Sequence, residues 1–380
     1  GIIGTNFISE WFAAACAATE GRAAPTAVYS RDLGRGRAFA ATIGAADAFD
    51  DLDAMIASVD AVYVASPNAA HHPQAMRAIA AGRHVLVEKV MGTSAAQVEE
   101  IFAAARAEGV IAMEAVRNVH APTHQLIRDR LPELGTIRYA RFEKLQYSSR
   151  YDRFRAGELL NAFDPSLGNS ALADIGVYCL QPALDLFGEP PRTSGASVWL
   201  ANGFEGGGSL QLDYGDKVVD VAYSKIVAGV GPSVINGEDA TLTLDDPGEP
   251  SRIELRERGG AGTVLVEGGR LVKSRTPRSD DQRGATPAGN MHHEVVDFLD
   301  LMRTGELWYA RGFRAIGHEG EVPVRLPSGG RIRALLGVTG PRRSPEQKKC
   351  HGSSWRRVGI HVSVRRGLPV FVVRMALTSS

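Results

Sequence analysis

The first 130 residues alternate short apolar segments with segments that favour helices, and this alternation restricts the possible folds most strongly. The segments 26–29, 60–65, 84–87 and 110–113 are largely apolar and are separated by helix-favouring sequence. Continuous apolar strands are typical of parallel sheets buried on both faces. Their regular alternation with helices predicts an α/β chain that begins with a doubly wound parallel sheet.

A glycine turn leads from the first predicted strand into the first predicted helix. Residues 1–9 read GIIGTNFIS, so Gly4 occupies the first glycine of the pattern G-x-G-x-x-G, while Asn6 and Ser9 replace the other two. Such a turn presents backbone N–H groups to a pyrophosphate. Because the chain starts inside this strand, we expect the beginning of the first strand to be missing. The predicted pyrophosphate-binding residues are Gly4, Thr5, Asn6, Phe7 and Ile8.

Residues 30–32 follow the second predicted strand, where a dinucleotide-binding fold contacts the adenosine ribose. Arg31 together with Ser30 suits the 2′-phosphate of NADP, whereas Asp32 suits the 2′-hydroxyl of NAD. The planar, permanently charged guanidinium favours NADP. NAD stays an alternative, as does a solvated loop position for Arg31.

Polar residues follow the central predicted strands. The carboxyl ends of parallel strands meet at one edge of the sheet, where ligands bind, so Lys89 can reach the nicotinamide end of a cofactor. A Glu-Lys pair at a strand end is otherwise an ordinary surface feature, and His71 could equally be a solvent-facing residue at a helix start. The candidate cofactor contacts at this edge are Ser66, Pro67, Asn68, His71, Glu88, Lys89 and Arg117.

Beyond residue 134 the pattern changes to alternating strands with glycine-rich turns, which predicts a largely antiparallel, open sheet. A long strand over 136–147 and a helix over 172–187 precede this sheet, and an amphipathic helix over 289–304 follows it. We predict an NAD(P)-binding Rossmann domain over 1–120 and a second, α/β domain over 121–307.

Asp174 and Tyr178 stand four residues apart, so on a helix their side chains lie on one face. A phenol with an ordinary pKa near 10 is a poor acid at neutral pH unless a cation stabilises its anion. A nearby lysine would supply that cation, which makes a Lys-Tyr pair a proton donor to a carbonyl. The alternative is a tyrosine at the edge of the core whose hydroxyl bonds to Asp174.

Five segments in order, GIIGTNFIS, AVYVASPNAAHH, HVLVEK, MEAVRN and ALADIGVYCLQPALDLFG, resemble the Gfo/Idh/MocA oxidoreductase family. The resemblance covers residues 1–307 and is greatest to the branch of dimeric dihydrodiol dehydrogenases and glucose–fructose oxidoreductase-like proteins. It implies catalytic roles for Lys89, which matches the lysine of a Glu-Lys-Pro motif, and for Tyr178 and Asp174. Val90 replaces the proline of that motif.

The resemblance implies an NAD(P)-dependent oxidoreductase that moves a hydride between nicotinamide and a hydroxyl- or carbonyl-bearing carbon. A sugar, cyclitol or dihydrodiol is the expected substrate. The domain over 121–307 is expected to bind this substrate and to form a homodimer through its open sheet. No metal is implied. The alternatives are a non-catalytic nucleotide-binding sensor on the same fold, or a defective, truncated or frameshifted family member.

Composition limits the other possibilities. Three scattered cysteines exclude a disulfide framework, and no apolar run is long enough for a membrane span, so we expect a cytoplasmic protein. The net charge of zero hides a basic tail: residues 308–380 contain 14 Lys and Arg against three Glu and no Asp. The scattered arginines do not favour nucleic-acid binding. This tail is expected to be out-of-frame or non-native sequence.

Overall fold

The computed structural model describes residues 1–267 and 291–305. A six-stranded parallel sheet forms the first unit, which confirms the predicted doubly wound parallel sheet, and its strand order is 3-2-1-4-5-6. Its strands are β1 (Ile2–Ile3), β2 (Ala27–Tyr29), β3 (Asp47–Phe49), β4 (Ala61–Val64), β5 (His84–Glu88) and β6 (Ala112–Ala115). Its helices are α1 (Phe7–Ala17), α2 (Leu33–Ile43), α3 (Leu52–Ala57), α4 (Asn68–Ala80) and α5 (Ala95–Glu108).

Short polar side chains define where the helices of this unit begin. Asn6, Asp32, Asp51 and Ser94 each accept hydrogen bonds from backbone N–H groups in the first turn of the following helix. These N–H groups have no partner inside the helix, so a side-chain cap stabilises each start by about 1 kcal/mol. The caps fix the points at which the chain leaves each strand end, and therefore the loops that face the cofactor site.

An eight-stranded mixed sheet forms the second unit, with the order 14-13-12-11-7-10-9-8 and one parallel pair, β7 with β10. The predicted largely antiparallel sheet is confirmed. Its strands are β7 (Ile137–Leu145), β8 (Arg192–Trp199), β9 (Glu205–Asp213), β10 (Val218–Ser224), β11 (Ser233–Gly237), β12 (Ala240–Leu244), β13 (Arg252–Glu257) and β14 (Gly262–Glu267). Four further α-helices of the described residues do not connect strands of the first sheet: α6 (Pro122–Arg130), α7 (Tyr151–Arg155), α8 (Val177–Phe187) and α9 (Met291–Thr304).

Two features of this unit differ from what the sequence predicts. The strand β11 was not predicted, because its five residues follow Pro232, end in Gly237 and gain their structure from pairing with β7 and β12. The expected helix over 172–187 is divided: Leu172–Gly176 forms a π-helix that continues directly into α8. Such π-helical turns occur frequently at functional sites, and this one contains Asp174.

The last described helix packs back on the first sheet. Met291, Val295 and Phe298 of α9 join the core that α1 forms on one face of the parallel sheet. The division at residues 120 and 307 stays a prediction, although α9 lies within 121–307 in the sequence and packs on the first unit. Residues 308–380, and with them the expectation of a non-native tail, lie outside the described residues.

Candidate active site

The turn after β1 requires glycine at its first position. Gly4 has a φ of 111°, and a Cβ atom there would lie 2.6 Å from the carbonyl oxygen of Ala65. Asn6 then closes the turn, since its Nδ2 donates to the Ala65 oxygen at 2.9 Å while its Oδ1 accepts from the N–H groups of Ile8 and Ser9. The side chain that replaces the second glycine therefore builds the turn at the N-terminus of α1.

Arg31 and Asp32, the two residues expected to distinguish NADP from NAD, follow β2 in the chain. Asp32 caps α2, with its Oδ1 accepting from the Arg35 N–H at 3.0 Å, and its own N–H donates to the Ser30 Oγ at 3.3 Å. Arg31 is exposed at the same strand end. One carboxylate oxygen of Asp32 is therefore engaged with the helix start, and both Asp32 and Arg31 are exposed to a ligand.

Lys89 lies directly beyond β5 and reaches across to the second unit. Its Nζ donates to Asp174 at 2.7 Å from Oδ1 and 3.1 Å from the backbone oxygen. Burial alone would lower the pKa of Lys89, but the carboxylate of Asp174 raises it above the ordinary lysine value. Lys89 and Asp174, which were predicted as candidate residues from separate segments of the sequence, are therefore in direct contact.

Asp174 also binds a second ammonium group, that of Lys225, which was not predicted from the sequence. Its Oδ2 lies 2.8 Å from the Nζ of Lys225, which follows β10. Withdrawal from solvent would raise the pKa of Asp174, but the charges of Lys89 and Lys225 hold it well below the usual carboxyl range. The side chain of Asp174 is 43% exposed, so a ligand can still reach it.

The ring of Tyr178 lies among three cations. Lys89 Nζ, Arg117 Cζ and Lys144 Nζ stand 5.3, 5.5 and 5.7 Å from its centroid. These distances fall within the usual range for cation–π contacts. The tyrosine therefore shares one cluster with Lys89, and the role of the two as a proton-donating pair stays a prediction.

A strap formed by residues 245–250, between β12 and β13, covers this cluster. Asp246 binds the Lys144 ammonium at 2.8 Å, and Glu249 binds Arg117 at 2.9 Å. A Cβ on Gly248 would lie 3.5 Å from the Tyr178 ring, so the strap packs directly on the tyrosine. No local motif in the sequence identifies this strap, because its partners lie in distant segments.

The loop that carries Lys89 is anchored from two sides. His71 is buried, and its Nδ1 and Nε2 lie 2.8 and 2.7 Å from the carbonyl oxygens of Val90 and Ser66. Glu114, at the end of β6, accepts from the Met91 N–H at 2.7 Å. The Lys89–Val90 peptide bond is cis although no proline follows it. The solvent-facing alternative for His71 is therefore wrong, because the ring bridges two strand-end loops.

The other predicted contacts at this edge mostly bind protein groups. Asn68 donates from Nδ2 to the Gly168 oxygen at 3.2 Å, which joins the start of α4 to the loop before the π-helix. Ser66 donates from Oγ to Gln74 Oε1 at 2.6 Å, and Pro67 is the cap residue of α4. Glu88 accepts the Tyr63 hydroxyl at 2.5 Å, and burial raises the pKa of its carboxyl group. Their direct contact with a cofactor stays a prediction.

Glu205 positions the helix that carries Asp174 and Tyr178. This buried residue at the start of β9 accepts from the Leu172 N–H at 2.9 Å and from the Tyr223 hydroxyl at 2.6 Å. Gly176 allows the close approach of the helix, since a Cβ there would lie 2.9 Å from the Tyr223 ring. The sequence contains no local signal for Glu205, which is an isolated glutamate before three glycines.

Comparison with known proteins places this architecture in a family. Residues 1–116 match the family described as "Oxidoreductase family, NAD-binding Rossmann fold". The chain is 43% identical over 308 residues to scyllo-inositol 2-dehydrogenase (NADP(+)) IolU of Bacillus subtilis, covering 80% of this chain and 88% of that protein. It is 37% identical over 268 residues to the uncharacterized oxidoreductase YgjR of Escherichia coli, covering 70% and 81%.

A solved structure shares the fold over most of the chain. The 3-ketoreductase KijD10 of Actinomadura kijaniata, in complex with NADP and TDP-benzene, matches with a TM-score of 0.69 and 22% identity, covering 88% of this chain and 94% of that one. The fold and site define an NAD(P)-dependent oxidoreductase. The chain belongs to the Gfo/Idh/MocA oxidoreductase family, as its motifs predict.

Proposed function

We propose that the chain is an NADP-dependent dehydrogenase that interconverts a hydroxyl group and a ketone on a cyclic polyol, with scyllo-inositol or a related cyclitol as the first candidate. The observation that carries this proposal is the 2.7 Å contact between Lys89, at the cofactor edge of the parallel sheet, and Asp174, in the second unit. The identity of 43% to an NADP-dependent scyllo-inositol dehydrogenase supports the substrate class.

The residues of the cofactor side fit a dinucleotide. Gly4 keeps the turn after β1 free of a side chain, and α1 presents its N-terminus there. Arg31 is exposed where a 2′-phosphate would lie, while Asp32 is engaged in capping α2. A bound nicotinamide supplies the hydride acceptor or donor. NADP is therefore favoured over NAD.

The residues of the chain then handle the proton and the orientation of the substrate. In the reduction direction, the Lys89 ammonium donates a proton to the carbonyl oxygen, and in oxidation the neutral amine accepts it back. Tyr178, whose ring lies 5.3 Å from Lys89 Nζ, is placed to share this transfer. Asp174, partly exposed beside Lys89, orients a substrate hydroxyl.

A screen of purified protein against cyclic polyols, aldoses and dihydrodiols, with NADP and NAD in parallel, tests the proposal. We expect formation of NADPH with at least one cyclic polyol and slower reaction with NAD. Binding of NADPH without oxidation of any polyol in the panel would contradict the proposal.

The assembly and location are further parts of the proposal. We infer a homodimer formed through the outer face of the eight-stranded sheet, where Val198 and Val264 are 54% and 39% exposed. Sedimentation of the protein as a monomer at micromolar concentration would contradict it. We infer a cytoplasmic location, since Cys16 and Cys179 are free and buried. No helix of residues 1–267 and 291–305 is long and apolar enough to cross a membrane.

A further inference from the structure

Lys225 is a buried lysine to which no motif of the chain assigns a role. Its side chain is 6% exposed, and its Nζ donates to the Ala162 oxygen at 2.9 Å. The same ammonium group stands 5.0 Å from the ring centroid of Phe163 and 5.4 Å from that of Phe204. Removing a lysine ammonium from water is unfavourable unless it is paired and hydrogen-bonded. The pairing here is with Asp174 Oδ2 at 2.8 Å.

We propose that Lys225 is a positioning residue for the proton transfer at Lys89, because it holds Asp174 Oδ2 and so shares the carboxylate between two ammonium groups. Asp174 binds Lys89 through Oδ1 and Lys225 through Oδ2, at nearly equal distances of 2.7 and 2.8 Å. This inference rests on the proposed role of Lys89 as the proton donor and acceptor.

The shared carboxylate has two consequences for Lys89. Two like charges on one carboxylate repel each other, so Lys225 makes the Lys89 proton easier to release than it would be beside Asp174 alone. When the Lys89 N–H bond breaks and the substrate O–H bond forms, Lys89 becomes neutral. Asp174 then keeps a cationic partner in Lys225, so the transfer does not leave an unpaired carboxylate beside the substrate.

The surroundings of Lys89 contain other groups that titrate or carry charge. Glu88 adjoins it on β5, His71 faces it from α4, and Tyr178 faces it from α8. Arg117 and Lys144 contact the other sides of the Tyr178 ring. These groups are present in every Lys225 variant, so the comparison of a neutral variant with Lys225→Arg isolates the effect of the Lys225 charge on the pair Lys89–Asp174.

Competitive acetylation of the folded protein by acetic anhydride tests the inference without a substrate. The reagent reacts with neutral amines, and Lys89 is 16% exposed. Loss of one nearby cation shifts a pKa by about one unit or more, so Lys225→Met is expected to slow acetylation of Lys89 about tenfold. Lys217, which is 19% exposed and pairs with Asp216, serves as the internal reference amine. Lys225→Arg keeps the charge and is expected to label like the unchanged protein.

The outcomes separate this inference from a merely structural role. Removal of Lys225 would open the site, so a structural role predicts unchanged or faster labelling of Lys89, and either result would overturn the inference. Lys225→Gln provides a polar neutral variant in case Lys225→Met does not fold. The inference would also be overturned if neither Lys225→Met nor Lys225→Gln unfolded cooperatively while Lys225→Arg did. That result would show that Lys225 acts in stability.

The kinetic counterpart uses the dehydrogenase reaction. In the neutral variants, the pH at which polyol oxidation reaches half its maximal kcat is expected to rise by about one unit. A fall in kcat without that shift would overturn the inference. If the unchanged protein oxidises no polyol, the proposed function fails, while the labelling of Lys89 still decides the role of Lys225.

Discussion

On the side of the parallel sheet, Lys89 and the turn at Gly4 lie next to strands that the sequence identifies directly. On the opposite side, Asp174 and Tyr178 lie on one continuous helix, and Lys225, at a strand end, reaches Asp174 only through tertiary packing. The sheet side combines the turn at Gly4 with the side chains of Arg31 and Lys89, whereas the opposite side pairs Asp174 with Lys225 beside the Tyr178 ring. On the proposed function, cofactor binding therefore depends on locally encoded segments, and proton transfer depends on the contact between Lys89 and Asp174.

The largest expected effect comes from the residue that joins the two sides. Lys89→Met removes the proton donor, so we expect kcat for polyol oxidation to fall about 10²- to 10⁴-fold. Binding of NADPH, measured by its fluorescence, should persist because the turn at Gly4 is unchanged. Lys217→Met, a lysine of similar exposure on the β9–β10 turn, serves as the matched control. An unchanged kcat in Lys89→Met would remove the lysine from the mechanism.

Substitution of Arg31 tests the sheet side alone. Arg31→Ala removes the exposed guanidinium at the end of β2, and loss of a charge-assisted contact is expected to lower kcat/KM for NADP about 10- to 100-fold relative to NAD. Arg106→Ala, on the exposed face of α5, is the control. Retention of the full preference for NADP in Arg31→Ala would assign cofactor selection to other residues.

Substitution of Asp174 tests the stability of the opposite side and its pH dependence. Asp174→Asn leaves Lys225 without a counter-ion, so the free energy of unfolding should fall by about 1–3 kcal/mol at pH 7. Because the pKa of Asp174 is lowered on folding, its contribution is present above the ordinary carboxyl pKa of about 3.9 and is lost as the pH falls below it.

Urea denaturation at several pH values measures this difference. The gap in unfolding free energy between the unchanged protein and Asp174→Asn should be full at neutral pH and should shrink below about pH 4. A gap that stays constant through the acid range would show that the Asp174 carboxylate is not stabilised by its two lysines.

The smallest effect is expected at the strap over Tyr178. Glu249→Gln weakens the ion pair with Arg117. The side chains of Glu249 and Arg117 are 22% and 19% exposed, so we expect KM for the polyol to rise only about threefold. A steady-state assay with saturating NADP measures it. Glu257→Gln on the exposed part of β13 is the control, and a fall in kcat of a hundredfold or more would instead place Glu249 in the chemistry.

The parts of the fold and of the candidate site that could be predicted are those encoded by contiguous segments of the sequence. The parallel sheet followed from apolar segments, and Lys89, Asp174 and Tyr178 were identified from motifs, as was the family. Lys225 and Glu205 were missed, because each is an isolated charge whose partners lie in other elements. The strand β11 was missed for the same physical reason, since pairing with neighbouring strands stabilises a short segment that contains an asparagine and a glycine.

A double-mutant cycle between Lys89→Met and Asp174→Asn tests most directly whether the two sides form one catalytic site. If the 2.7 Å contact joins a single proton-transfer unit, the double variant should lose about as much kcat/KM for polyol oxidation as Lys89→Met alone. Losses that multiply, so that the double variant is slower by the product of the two single effects, would show independent residues and contradict the account.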